Sequence, residues 1–147
     1  MCERNCNIIA PFIPAAGNKN ECKLLRPALE SLKNIARKLG LRIKGAILSL
    51  DGIYDSKSNR KMVYNSGMKP NIPENRRNRK YTKKGRKRHY DPEITKERDR
   101  TIERIFAWED KFKRLLMRFE FKSSHHYGLK MLAYSMINLR HFCGKAG

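Results

Sequence analysis

Residues Ile43 to Leu50 form an apolar run of strand length, closed by Asp51-Gly52. Its Ile, Ala and Leu content predicts burial on both faces, as in strands of helix-covered parallel sheets. The flanking sequence fits that setting. Residues 7–13 read as a short strand, with Pro11 marking an edge or an early end. From about Asn20 to Leu39, apolar residues recur at Leu24, Leu25, Ala28, Leu32, Ile35, Ala36 and Leu39 with a helical period, and Gly40 supplies a stop. A short helix is predicted over 56–65, closed by Gly67, and Lys69 to Pro73 reads as extended, proline-restricted chain. Strand, helix, strand, helix, strand is the α/β signature, with at least partly parallel pairing expected.

The chain has 147 residues, within the range of one domain, and 39% are hydrophobic. No apolar segment approaches the ~18 residues of a membrane span. The first residues lack the charged-then-apolar pattern of a signal peptide, so a cytoplasmic protein is expected. Thirty-four Lys and Arg oppose fourteen Asp and Glu, a formal net charge of +20. Nucleic acid is the commonest partner of such an excess, because neutralising phosphates releases condensed counterions. No strongly apolar insertion face accompanies the charge, which disfavours a membrane surface. Cys2, Cys6, Cys22 and Cys143 form no Cys-x-x-Cys pair, and with His125, His126 and His141 they match no usual zinc spacing. Unpaired thiols are expected.

Composition shifts after residue 75. Nine Lys or Arg occur in the thirteen residues from Arg76 to Arg88, with no acid. This tract reads as an exposed basic loop, about 75–90, between the last strand and a long helix. Arg76, Arg77, Arg79, Lys80, Lys83, Lys84, Arg86, Lys87 and Arg88 are candidates for tracking a DNA backbone, contacts that position a protein without reading sequence. Asp91-Pro92-Glu93 is a helix start, and the helix is expected to reach about Phe121. Ser123 or Ser124 would cap a final helix ending before Gly144. Trp108 reads as a partly buried packing residue and His125-His126 as surface or capping residues.

Two acids frame the basic tract. Asp51 follows the apolar run, and ligands of open α/β sheets gather at the carboxyl ends of strands. Glu103 lies on the long helix, where Ile102, Ile105, Phe106, Phe112, Leu116 and Phe119 are expected on the docking face, with Glu103 at its margin. Hard divalent cations take oxygen ligands, and two such ions can activate a water or a 3′-hydroxyl and stabilise the leaving oxygen in phosphodiester transfer. Taken singly, Asp51 reads as an ordinary turn residue and Glu103 as a boundary Glu beside Arg100 or Arg104.

Asp51-Gly52-Ile53-Tyr54-Asp55-Ser56 resembles the second-aspartate motif of DDE-type insertion-sequence transposases. The stretch from Asn71 to Arg79 and its basic continuation is similar to what these enzymes carry between their second and third acids. Arg100 to Trp108 with Lys111-Phe112 resembles the third-acid motif, and Ala133 to Arg140 the closing helix. The resemblance spans nearly the whole chain. It implies a partial ribonuclease-H-like (retroviral-integrase-like) fold with a C-terminal pair of helices. It also implies Asp51 and Glu103 as catalytic ligands of Mg²⁺ or Mn²⁺, with double-stranded DNA, both transposon ends and target, as partner. Arg104 and Lys111 join the candidate DNA contacts, although Asp110 occupies the family's usual Lys position and Lys111 would lie about 80° further around a helix.

No Asp precedes Asp51, and Glu3, Glu21 and Glu30 follow no apolar strand. The resemblance therefore implies a truncated or split transposase lacking the first acid. It would need an upstream half or another transposase subunit and would be inactive alone. A non-catalytic DNA-binding module or transposition regulator is the alternative, since it requires the charge but not the acids.

Overall fold

The computed structural model describes residues 1–10, 12–15, 18, 20–75, 88–117 and 119–144. Asn20 opens the first helical segment by accepting a hydrogen bond from the Cys22 amide. A 3-10 turn, Glu21–Leu24, leads into α1, Leu25–Lys38, which buries Leu25, Leu29, Leu32 and Ala36 along one stripe. Gly40, at φ 65°, supplies the left-handed residue that ends it.

The sheet is small. Strand β1, Ile47–Ser49, pairs in parallel with β2, Lys69–Asn71, in the register Ile47 to Lys69, Leu48 to Pro70 and Ser49 to Asn71. Between them runs α2, Lys57–Asn65, whose first turn is capped by the Ser56 hydroxyl accepting from the Asn59 amide at 3.0 Å. Among the described residues the molecule is thus mixed α/β, mostly helical, with one βαβ crossover. The helix and strand expected over 56–73, and their parallel pairing, are present.

The strand expected from Ile43 to Leu50 is shorter and less covered. Lys44-Gly45 form a turn, with Gly45 at φ 83° donating to the Gly67 carbonyl at 2.7 Å, so extended pairing begins only at Ile47. Ile47 is 52% exposed, which corrects the expectation of burial on both faces.

The 7–13 segment also departs from expectation. Its ladder reduces to one antiparallel bridge, Cys2 to Ile8. In place of a neighbouring strand stands the Asn138 side chain, whose Oδ1 accepts from the Ile8 amide and whose Nδ2 donates to the Ile8 carbonyl, both at 2.9 Å. Side chains here divide between two cores. Ile9 and Ala10 join Leu25, Leu29, Leu32, Val63 and Met68, whereas Cys6, Ile8 and Phe12 join Ile105, Tyr134 and Ile137. An apolar run that serves two clusters needs no sheet of its own.

Helix α3, Pro92–Glu109, starts as expected, with the Asp91 carboxylate accepting from the Glu93 amide at 2.9 Å. It stops well short of Phe121. Phe112 leaves helical geometry (ψ 86°) to pack against the Ile105 and Tyr134 cluster, and a single turn, α4, Lys113–Leu116, follows. Phe119 and Phe106, expected on the docking face, are 65% and 55% exposed. The final helix, α5, Ser123–Cys143, matches expectation, although Lys122 stands at its cap with no side-chain bond. Trp108 packs edge-on to His141 at 4.7 Å. No helix among the described residues is long and apolar enough to cross a membrane, and all four cysteines are free thiols.

Candidate functional site

Asp51 stands just beyond the end of β1, in extended conformation (φ −69°, ψ 158°), before a 3-10 turn at Gly52–Tyr54. Its side chain makes no capping hydrogen bond, and the residue is exposed. Nearby, burial raises the Tyr54 hydroxyl above the usual phenol range, reinforced by the negative charges of Glu21, Cys22 and Asp51.

Glu103 lies in the second half of α3 and is exposed. The packed side of α3 is formed by Thr101, Ile105 and Trp108. Glu103 is two residues from both Thr101 and Ile105, about 160° around the helix from each at 100° per residue, so it points outward and is exposed. The expected position at the margin of the docking face is corrected accordingly. The hydrogen bonds from β2 to α3 are made at the first turns of the helix: Asn71 Nδ2 donates to the Asp91 carbonyl at 3.0 Å and to Thr95 Oγ1 at 3.3 Å. Eight residues, a rise of about 12 Å, separate Thr95 from Glu103.

Carboxylates such as those of Asp51 and Glu103 are suitable oxygen donors for Mg²⁺. Among the described residues no three His, Cys, Asp or Glu side chains are grouped so as to hold a metal ion. Asp51 is exposed at the strand end and Glu103 is exposed on the outward side of α3.

The candidate DNA contacts fall into two groups. Arg76, Arg77, Arg79, Lys80, Lys83, Lys84, Arg86 and Lys87 lie outside the described residues. Arg88, Arg104 and Lys111 are described. Arg88 Nη1 pairs with Asp55 Oδ1 at 2.8 Å, so its charge is partly committed within the protein. Arg104 is exposed beside Glu103, with its guanidinium 4.0 Å from the Cys6 sulfur. Lys111 is exposed in the turn after α3, and the helical offset from the family position no longer applies because the helix has ended.

Asp55 is the residue the sequence did not single out. Its side chain is 1% exposed and accepts from Arg60 Nε at 3.0 Å, from Arg88 and, through Oδ2, from the Asn75 amide at 3.2 Å. Arg60, itself buried, continues to the Ile72 carbonyl at 2.7 Å. One carboxylate thus links α2, the chain leaving β2 and the chain entering α3. The legible signal was Asp55-Ser56 at a helix cap with Arg60 one turn inside, a spacing that lets the guanidinium fold back.

Family models, curated proteins and solved structures offer no match to this chain.

Proposed function

We propose that this chain is a duplex-DNA-binding protein corresponding to the second- and third-acid part of a DDE transposase catalytic domain, with a ribonuclease-H-like architecture, and that alone it binds DNA without cutting it. The observation that carries the binding reading is the net charge of +20. The parallel β1–α2–β2 unit with Asp51 beyond its carboxyl end supports the architectural reading, together with the ordered motifs that resemble the family. The outward position of Glu103 favours binding over turnover by the isolated chain.

Fluorescence anisotropy with labelled duplex DNA across a salt series tests the binding. A log–log slope steeper than about −4 is expected, near −0.9 for each neutralised phosphate. A slope near zero overturns it. Incubation of the chain with duplex DNA and Mg²⁺ should leave strands intact, and Mg²⁺-dependent nicking abolished by Asp51→Ala and Glu103→Ala would replace binding alone with catalysis.

A further inference from the structure

Helices α1 and α2 pack side by side and leave a cleft of about 240 Å³ between them. Its floor is apolar, Leu29 and Met62, both part of the first core. Its walls are polar. On α1 they are Arg26, Glu30 and Lys33; on α2 they are Ser58, Lys61 and Asn65. Both sets follow the same rule, residues separated by three, four and seven positions, which places each along one helical stripe. Seven residues correspond to a rise of about 10.5 Å, so Arg26 and Lys33 present charge at two points along the cleft while Lys61 faces them from the other wall.

An acid three or four residues away along a helix can pair with a surface cation. Glu30 stands within a turn of both Arg26 and Lys33, yet among the described residues no ion pair joins Glu30, Arg26, Lys33 or Lys61 to any partner. Three uncommitted cations against one carboxylate leave the cleft positive. Charge spread over about 10 Å on rigid helices, with hydroxyl and amide groups between, suits a run of phosphates better than a single small anion.

We infer that the α1–α2 cleft is a DNA-backbone contact surface, additional to the candidate contacts that the sequence offers over 76–88, in which Arg26, Lys33 and Lys61 neutralise phosphates. The inference rests on the DNA-binding reading above, and it assigns a role to a part of the chain that the motifs leave without one. The contacts are sequence-independent, so their loss weakens binding uniformly across duplexes.

The test is anisotropy with duplex DNA over a salt series, using wild-type protein, the cleft variant Arg26→Gln/Lys33→Gln/Lys61→Gln, and a control variant Arg37→Gln/Lys38→Gln/Arg42→Gln. The control removes the same charge from exposed positions outside the cleft. Circular dichroism melts establish that both variants fold as the wild type does. The cleft variant is expected to flatten the log–log slope by about 2 to 3, and the control by less than about 1. Wild-type binding with an unchanged slope in the cleft variant overturns the inference and leaves the DNA reading standing. Equal flattening by both variants also overturns it, since net charge alone would then account for the effect. Absence of wild-type binding overturns the DNA reading and the inference together.

Discussion

The side-chain amide of Asn71 pairs with the backbone of Asp91 in both directions: the Asp91 amide donates to Oδ1 at 2.8 Å, and Nδ2 donates to the Asp91 carbonyl at 3.0 Å. Asn71 is the last residue of β2 and Asp91 the cap of α3, so this pair joins the sheet to the long helix across twenty residues of sequence. Asn138 holds Ile8 by the same two-point device. In both places an asparagine supplies the donor and acceptor that a neighbouring strand would otherwise provide.

Replacing Asn71 with Ala removes both bonds, and that to Thr95, and leaves the part-buried Asp91 backbone groups without these partners. Chemical denaturation should show a loss of about 2–3 kcal/mol with an unchanged m-value. A change under about 0.5 kcal/mol would show that the pair contributes nothing to joining helix and sheet.

Asp55→Asn should cost about 3 kcal/mol, because it leaves the buried Arg60 guanidinium without its counter-charge. Adding Arg60→Met should recover part of the loss, since the uncompensated charge is then gone. A double variant no more stable than Asp55→Asn alone would argue that Asp55 acts through the Asn75 amide and Arg88 instead.

Alkaline pH should destabilise the protein. Burial raises the Tyr134 hydroxyl above its ordinary value of 10.0, and its hydrogen bond to Glu109 and that group's charge raise it further. Burial raises Tyr54 in the same direction, and Cys2 from 9.0. The folded state holds these protons more tightly than the unfolded chain does. Their contribution is therefore complete below the unfolded values and is lost as pH climbs from about 9 through the folded ones. Burial lowers the Met1 amine from 8.0, so that group instead adds stability as pH rises toward 8. Melts from pH 7 to 11 should decline above about pH 9–10, and Tyr134→Phe should flatten the decline. An equally steep decline in Tyr134→Phe would remove Tyr134 as its source.

Asp51→Ala and Glu103→Ala should each change stability by less than about 0.5 kcal/mol, because both residues are exposed and neither holds a cap or an ion pair among the described residues. DNA affinity should stay the same or rise slightly as a negative charge is removed. A fall in affinity for either variant would place that carboxylate at the DNA through a bridging cation.

Local signals carried most of the secondary structure. Asn20, Ser56 and Asp91 cap helices through short-range side-chain bonds. Gly40 and Gly67 end helices by adopting positive φ. The apolar period over 20–39 places Leu25, Leu29, Leu32 and Ala36 inside. Each of these depends on contacts within a turn or two of chain, which a single sequence records directly. The charge excess is legible for the same reason, since it requires no neighbours.

What the sequence alone could not decide was where side chains distant along the chain would meet. A helical period specifies that one face is buried, but not which of two adjacent stripes is chosen; the packing of Cys6, Tyr134 and Ile137 selected Thr101, Ile105 and Trp108 and turned Glu103 outward. Phe112 leaves the helical path to take a place in that cluster, and α3 ends at Glu109 instead of continuing to Phe121. The burial of Asp55 arises because Arg60, Asn75 and Arg88 converge on it from three segments. Caps, turns and net charge follow from residues near in sequence, whereas the facing of a helix and the partners of a buried charge follow from desolvation, which only the assembled tertiary structure sets.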